Sequence, residues 1–269
     1  MRRIVFLLLT ISLSFSLFAQ DADSTNIANE VIKKMQITSP EDLIARATLA
    51  YEQGNYQQTI DDYESLSAVY AKNADIYYNL GNAYYKNNNF AKAILNYERC
   101  LIYDPANDDA KANLELARLC CVDKIESIEP IIFKKWSEAI GDTFTCGTWT
   151  NLSIVLFLLF SICAGGYFFM SKIAIRKTGF YLGILSILLC FVCIYFADKQ
   201  NKKINERDYA IVMSPTVTVR SEPADSGTKL FTIHEGLKVK IRWSLNGWSE
   251  VELSDGNVGW LPSATFEKI

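Results

Sequence analysis

The chain has 269 residues, of which 50% are hydrophobic, with 27 Lys and Arg against 30 Asp and Glu. This apolar fraction excludes a disordered chain, and the formal net charge of −3 gives no general attraction to nucleic acid. The length allows more than one domain. Most of the apolar excess lies in three segments of the sequence, so these segments decide how the chain is organised.

The first apolar segment opens the chain. Arg2 and Arg3 precede an apolar run that ends at Ala19, and Asp21 follows shortly after. A basic start, a hydrophobic run and a small residue before a polar stretch are typical of a secretory signal peptide. We predict a signal peptide over residues 1–19, with an uncleaved anchor as the alternative, and then a linker or an extra helix over residues 20–39.

The second and third apolar segments, residues 151–170 and 178–197, each contain 20 residues and no charged side chain. A helix of that length crosses the ~30 Å hydrocarbon core of a bilayer. Aromatic residues near the ends of both segments suit the membrane–water interfaces. We predict two transmembrane helices, a connecting loop over residues 171–177 and a linker over residues 198–207.

The charges around these segments predict an orientation. The loop carries Lys172, Arg176 and Lys177, whereas residues 136–150 contain no Lys or Arg. Because positive residues remain inside, we expect the loop in the cytoplasm and both soluble parts on the periplasmic side of the inner membrane. Basic residues after the second helix oppose this orientation, and the signal peptide decides in its favour. Residues 126–150 are predicted to be a membrane-proximal amphipathic segment that contacts membrane lipid.

Residues 74–107 carry a pattern of small and aromatic residues at helical spacing, formed by Tyr77, Leu80, Gly81, Tyr84, Ala93, Tyr97 and Pro105. This stretch resembles the 34-residue tetratricopeptide repeat, a pair of antiparallel helices. Residues 40–73 form a weaker copy, which departs from the pattern at Arg46, Thr59 and Ala71. A capping helix is expected to follow, and we place the array over residues 40–125. Because ~3 repeats are usually needed to bury a continuous core, we expect the stack to be completed by an extra helix over residues 27–35, by a partner chain or by the membrane-proximal region.

The resemblance implies a groove, lined by the first helix of each repeat, that binds peptides or protein surfaces. The candidate groove residues are Ile44, Thr48, Tyr51, Tyr78, Asn79, Asn82, Tyr85 and Asn113. The alternative is that the polar members only solvate a helix face. The groove positions hold no Lys or Arg to clamp a free carboxylate, and the 16 acidic and 10 basic residues in residues 20–125 do not favour nucleic acid.

From residue 208 onward the sequence alternates polar and apolar residues, which predicts five or six short strands in a small barrel. The stretches 219–223, 234–236, 247–251 and 256–261 resemble the bacterial SH3 domain over residues 208–269. Such domains bind peptides or cell-wall glycopeptides through aromatic grooves, so Trp243, Trp248 and Trp260 are candidate ligand residues. The alternative is that Trp248 and Trp260 mainly pack the barrel. His234, the one histidine, is expected to be a turn residue.

The remaining motifs do not predict an enzyme. The sequence shows no nucleophile–base pair, no phosphate-binding loop and no metal-ligand cluster, so we expect no catalysis and no cofactor. Of the seven cysteines, only Cys120, Cys121 and Cys146 are placed where one disulfide could form. Cys190 and Cys193 form a CxxC pair inside the second predicted membrane helix, where small-residue packing is the expected role.

The order of these parts predicts a multi-domain fold: an all-α tetratricopeptide-repeat array, a two-helix transmembrane hairpin and a small all-β SH3-like barrel. This order resembles the BatE-type proteins of Bacteroides aerotolerance operons. The resemblance implies a membrane assembly with other products of the operon, some of which bear von Willebrand factor A domains. We expect a non-enzymatic membrane scaffold in oxygen tolerance or envelope stress. The alternatives are a peptidoglycan-binding membrane protein and a membrane redox component that uses Cys190 and Cys193.

Overall fold

The structure is a computed structural model that describes residues 39–125 and 132–269. The predicted signal peptide, nearly all of the predicted linker or extra helix, and residues 126–131 of the membrane-proximal segment lie outside the described residues. The chain divides into two compact units, Met1–Ala71 and Lys72–Ile269. In its described part, from residue 39 onward, the first contains one helix pair. The second contains a helix pair, a capping helix, a short helix over residues 132–141, a helical hairpin and a β-sheet.

The helix pair of the first unit consists of α1 (Pro40–Glu52) and α2 (Tyr56–Val69). Two of its departures from the repeat pattern form polar bonds between the helices. Arg46 donates from Nε to Asp62 Oδ2 at 2.9 Å and from Nη2 to the other carboxylate oxygen, and this pairing raises the pKa of the guanidinium. Thr59 is fully buried, and its hydroxyl donates to the Ala47 carbonyl at 3.3 Å. The weaker repeat therefore keeps its helix pairing through hydrogen bonds and an ion pair.

The second unit begins with α3 (Ala74–Lys86), α4 (Phe90–Tyr103) and the capping helix α5 (Asp108–Leu119). Gly81 on α3 lies against the buried ring of Tyr97 on α4, and a Cβ at Gly81 would come within 2.7 Å of two carbons of that ring. An alanine there would push the helices apart or displace the ring. The predicted close approach of the two helices at Gly81 is therefore present.

The helix starts repeat with the same period as the apolar pattern. Each of the five helices begins after a side chain whose oxygen accepts a backbone N–H of the first turn. These caps fall in two series spaced by 34 residues, Ser39, Asn73 and Asn107 before the first helices, and Asn55 and Asn89 before the second helices. The turns repeat too, because Gly54 (φ 77°) and Asn88 (φ 60°) both adopt left-handed backbone.

After the capping helix come α6 (Ile132–Gly141), α7 (Cys146–Phe169) and α8 (Ile173–Asn205). The helices α7 and α8, of 24 and 33 residues, are long and apolar enough to cross a membrane. Helix α7 begins before its predicted span, and α8 is longer than its predicted span at both ends, so residues 173–177 of the predicted loop and residues 198–205 of the predicted linker are helical. No glycine or proline interrupts either stretch, and Lys202 pairs with Asp198 one turn earlier at 3.0 Å.

Small residues on α8 bring it close to α7. A Cβ at Gly179 would lie 2.9 Å from the carbonyl oxygen of Cys163. Further along, the Ser186 hydroxyl donates to the Leu156 carbonyl at 2.6 Å, and the Cys190 thiol lies 3.3 Å from the Ser153 carbonyl. Gly179 and Gly183, one helical turn apart, therefore lie in the close contact between the two helices of the hairpin.

Helix α6 is tied to the end of this hairpin that lies opposite its connecting loop. The Gly141 carbonyl accepts hydrogen bonds from Trp149 Nε1 at 3.0 Å and from Gln200 Nε2 at 2.9 Å. Lys203 pairs with Asp142 at 2.7 Å, which accounts for one of the basic residues that opposed the predicted orientation. The exposed apolar side chains of α6 recur every four residues, at Ile132, Trp136 and Ile140.

The C-terminal domain is a seven-stranded antiparallel sheet in the order β3-β2-β6-β5-β4-β1-β7. Its strands are β1 (Tyr209–Val212), β2 (Thr216–Arg220), β3 (Lys229–His234), β4 (Lys238–Leu245), β5 (Trp248–Glu252), β6 (Val258–Pro262) and β7 (Phe266–Lys268). The sequence predicted five or six strands, and the three-residue β7, which follows a 3₁₀ turn, is too short to show a clear alternation. The sheet is consistent with an SH3-like domain, which confirms the predicted fold class.

Aliphatic side chains fill the core of the SH3-like domain. The buried cluster consists of Ala210, Val212, Val217, Val219, Ile233, Val239, Val251, Leu253 and Leu261. Ile125, which follows the capping helix, packs against this cluster from outside the domain. The predicted turn at Asn246 and Gly247 is present with φ values of 50° and 81°, and it joins β4 to β5.

Candidate functional site

The three candidate tryptophans of the SH3-like domain lie on one face of the strands β4, β5 and β6. Trp243 pairs with Glu250 across β4 and β5, and Glu250 pairs with Trp260 across β5 and β6. The row beside it pairs Leu245 with Trp248 and Trp248 with Pro262. Directly paired residues of antiparallel strands project from the same face, so the five apolar residues and Glu250 form a continuous surface, which we call the tryptophan face.

The tryptophan face points away from the core. Along β5 the buried residues are Ser249 and Val251, whereas Trp248 and Glu250 between them are half-exposed. Trp243 is 64% exposed, and none of the three tryptophans belongs to the buried aliphatic cluster. Trp248 and Trp260 lie outside the aliphatic cluster and are half-buried on the outer face of the sheet.

A chain of three hydroxyls fixes the strands beneath this face. Ser249 is 1% exposed, and its Oγ lies 2.9 Å from Ser244 Oγ and 2.8 Å from Ser263 Oγ. These contacts join β4 to β5 and β5 to the turn after β6. Because the register decides which residues face outward, this chain of hydroxyls helps to hold the three indoles side by side.

In the repeat array, the structure brings two candidate groove residues of the second unit together. Asn82 Oδ1 accepts from Tyr97 Oη at 2.8 Å and from Asn113 Nδ2 at 3.0 Å. Tyr78 is partly buried, with its ring centroid 6.3 Å from that of Tyr97. These contacts hold α3 beside α5.

The other candidate groove residues lie in two separate places. Asn79 and Tyr85 are half-buried on α3, and Tyr85 meets Phe90 edge-on at 5.6 Å between ring centroids. In the first unit, Ile44 and Thr48 are exposed on α1 and Tyr51 is half-buried; the Thr48 hydroxyl bonds to the Ile44 carbonyl at 2.8 Å. Thr48 also reaches the hydroxyl of Tyr63, the pKa of which is raised by burial. Several of these side chains therefore support the helices as well as line their surface.

The SH3-like domain docks on the second repeat, a contact that the sequence did not predict. Glu98 on α4 is 8% exposed, and its carboxylate receives Lys238 of β4 and Arg118 of α5, each at 2.7 Å. The neighbouring Arg99 donates to Glu267 Oε1 at 2.9 Å and to the Lys268 carbonyl at 2.7 Å. The two cationic partners compensate the charge of this nearly buried carboxylate, so this side of α4 forms a polar interface with the domain.

A second contact lies after the capping helix. Asp123 Oδ2 accepts the backbone N–H of His234 at 2.6 Å, and Asp123 Oδ1 lies 2.9 Å from His234 Nδ1. At Gly236 (φ 85°) a Cβ would lie 2.3 Å from the sulfur of Cys121 and 3.3 Å from Ile94. His234 was expected to be a turn residue; it closes β3 and joins the SH3-like domain to the repeat array.

The cysteines are all free thiols. Cys120 is exposed, Cys121 is half-buried under Gly236, and Cys146 lies 3.5 Å from the Ala197 carbonyl. Burial raises the pKa of the Cys121 thiol and raises that of Cys100, in the core of the second repeat, to about 12. Both thiols are therefore protonated and unreactive at neutral pH.

The CxxC pair lies in the helix hairpin. Cys190 and Cys193 are buried on the side of α8 that packs against α7, with Cys193 against Trp149 and Phe196. Within the described residues, no group of three or more His, Cys, Asp or Glu side chains is arranged to hold a metal ion. The described contacts of this pair are those of helix packing.

Comparison with protein families assigns both soluble parts. A family model for the tetratricopeptide repeat matches residues 74–107, a second TPR repeat model matches residues 49–88, and a bacterial SH3 domain model matches residues 215–267. These matches confirm the two resemblances found in the sequence. A comparison with curated proteins gives no match. The chain carries tetratricopeptide repeats and a bacterial SH3 domain, which are modules of protein–protein or cell-wall binding.

Proposed function

We propose that the chain is a non-enzymatic membrane scaffold. Its repeats bind partner proteins through the groove of α3 and α5, and its SH3-like domain binds a peptide or a wall component through the tryptophan face. The observation that carries this proposal is the docking of the SH3-like domain on α4 through Glu98 and Arg99. Docking supports the joint presentation of two binding surfaces, because it fixes one beside the other.

We further propose that α7 and α8 anchor the scaffold in the inner membrane, with both soluble parts in the periplasm. The positive loop between the helices and the predicted signal peptide support this orientation. Opposing basic residues lie in the last turns of α8, beyond its apolar span, and two of them, Lys199 and Lys203, bond to Ser137 and Asp142 at the end of α6. Because these lysines have a structural role, their positive charge is a weaker argument for placing this end of α8 in the cytoplasm.

The resemblance to BatE-type proteins supports a role in an aerotolerance or envelope-stress complex. In this proposal the partners include the von Willebrand factor A-domain proteins that such operons encode. The groove side chains suit the binding of a protein surface, since the aromatic rings and the amide of Tyr78, Asn82 and Tyr85 follow one another along α3. No nucleic acid, metal or cofactor is part of the proposal.

A photo-crosslinking residue at Asn79, in the full chain in native membranes, tests the groove. We expect a reproducible adduct with one or a few partner proteins from that position. The matched control is Glu115, which is exposed on α5 and pairs with Arg118 away from Asn113. Adducts of equal pattern and yield from both positions would contradict specific binding in the groove.

The exposed indoles favour a second candidate, a peptidoglycan-binding membrane protein. Aromatic faces bind sugar rings and peptides, and Trp243 is the most exposed of the three tryptophans. Sedimentation of the detergent-solubilised full chain with purified peptidoglycan tests this function. Retention that is lost in Trp243→Ala would support it, whereas equal retention of both proteins or none of the wild type would contradict it.

A further inference from the structure

The tryptophan face contains an acidic residue between two indoles. Glu250 is paired on one side with Trp243 and on the other side with Trp260. Directly paired side chains in antiparallel strands have Cβ atoms about 4.5–5.5 Å apart, so the carboxylate lies within reach of both ring systems. The three residues form a row that runs across β4, β5 and β6 on the exposed side of the sheet.

The Glu250 carboxylate makes no ion pair within residues 39–125 and 132–269. Further along the row, Trp260 pairs with Arg220 of β2, which donates through Nη1 to the Gly227 carbonyl at 2.9 Å. On the same strand, Glu252 has a different setting, because its direct neighbours are Lys240 and Val258. The row of Glu250 therefore places a carboxylate between two indoles, whereas that of Glu252 places one beside a lysine.

We propose that the row Trp243, Glu250 and Trp260 binds a basic side chain, a lysine ammonium or an arginine guanidinium, of an extended segment in a partner protein. This proposal rests on the proposed function of the tryptophan face. Indole faces attract cations through the ring quadrupole, and a carboxylate between two indoles adds a charged hydrogen-bond acceptor. An acidic or neutral ligand would gain nothing from Glu250, so the charge of the site selects the ligand.

The neighbouring row defines what lies beside the basic residue. Leu245, Trp248 and Pro262 sit two positions away along their strands, which corresponds to about 7 Å. In an extended ligand, side chains two residues apart are separated by the same distance. The face thus fits a segment with a basic residue at one position and an apolar residue two positions along.

Fluorine NMR of the full chain in detergent micelles, labelled with 5-fluorotryptophan, tests the proposal. The five Trp resonances are assigned by single Trp→Phe substitutions. The probes are N-acetyl-lysine methylamide and the same compound acetylated on its side-chain nitrogen. We expect the cationic probe to change the chemical shifts of the Trp243 and Trp260 resonances in a saturable way. The acetylated probe should bind with an affinity at least about fivefold lower.

Glu250→Gln should lower the affinity for the cationic probe by about fivefold to tenfold, while the control Glu252→Gln should retain it. A dispersed Trp248 resonance in both ligand-free variants reports that the SH3-like domain is folded, because Trp248 lies on the same strand, β5. Equal responses to the two probes, no response to either, or equal affinity of Glu250→Gln and the wild type would overturn the proposal. Crosslinking from Asn79 tests the proposed scaffold function independently. A negative NMR result would therefore contradict the basic-ligand proposal without contradicting the scaffold function.

Discussion

The carboxylate of Asp123 holds His234 at two points, through the backbone N–H at 2.6 Å and through the ring Nδ1 at 2.9 Å. The two residues are 111 positions apart, one after the capping helix and one at the end of β3. Two positions further along, Gly236 covers the thiol of Cys121. The reactivity of Cys121 therefore reports whether the SH3-like domain is docked.

The first prediction concerns this docking. Asp123→Ala removes both acceptors of His234, and a buried donor left without a partner costs about 1–3 kcal/mol. We expect the alkylation rate of Cys121 to rise about tenfold in a Cys120→Ser background, measured by mass spectrometry after reaction with iodoacetamide. The control is Lys124→Ala, an exposed neighbour of Asp123. An unchanged rate in Asp123→Ala would mean that the contact does not hold the domain.

The second prediction concerns the close approach of α3 and α4. Gly81→Ala places a Cβ at 2.7 Å from the Tyr97 ring, and overpacking of this kind costs about 1–3 kcal/mol. The loss should appear as a lower urea midpoint of the helical circular dichroism signal. Gly165→Ala is the control, because a Cβ there meets no atom within 4 Å. Equal midpoints for Gly81→Ala and the wild type would contradict the packing at Gly81.

The third prediction is a pH dependence that belongs to Cys100. Burial, with Asp104 and Asp75 adding, raises the pKa of this thiol from 9.0 to about 12. The folded repeat thus keeps the proton while the unfolded chain loses it, so this contribution to stability is complete below about pH 9 and is lost as the pH rises toward 12. Thermal unfolding between pH 8 and pH 11 should show a steeper loss of stability in the wild type than in Cys100→Ala. Parallel profiles would contradict the assignment.

The fourth prediction concerns α6 and the lipid. Trp136 is 64% exposed in an apolar row on a helix tied to the end of the hairpin of α7 and α8. If this hairpin spans a bilayer as proposed, the indole should enter the interface. In proteoliposomes with brominated lipid, Trp136→Phe should reduce the tryptophan fluorescence intensity that the lipid quenches. Trp243→Phe, which removes an indole of the SH3-like domain, should leave that quenched intensity unchanged. The same reduction in both variants would place α6 outside the interface.

The sequence predicted the elements that have a local signal. The repeat pattern around Gly81 and Tyr97 is readable because small and large residues alternate at helical spacing within one helix pair. The series of asparagine caps was also within reach, since Asn55 and Asn89, like Asn73 and Asn107, recur with the period of the repeat. The apolar lengths of α7 and α8 predicted a hairpin, although α7 begins earlier, after the N-cap Thr145, and α8 continues past its apolar stretch to Asn205.

The features that were missed depend on pairs that are distant in the sequence. Arg46 looked like a defect of the first repeat because its partner Asp62 lies on the next helix. Glu98 looked like an ordinary surface residue, and Lys238, its partner, lies 140 positions away. The outward alternation of β5 was readable from Trp248 and Glu250. The row with Trp243 and Trp260, however, requires the strand register, and a bulge in β4 before Trp243 shifts that register.

The central claim, a membrane-held scaffold that binds proteins, is tested most directly by chemical crosslinking of intact native membranes followed by mass spectrometry. The account predicts a reproducible set of partner proteins, with crosslinked peptides that map to α3 or α5 of the repeat array and to the SH3-like domain. It also predicts that these crosslinks come from one side of the membrane. Recovery of no reproducible partner from replicate membranes, with the chain itself well covered, would contradict it.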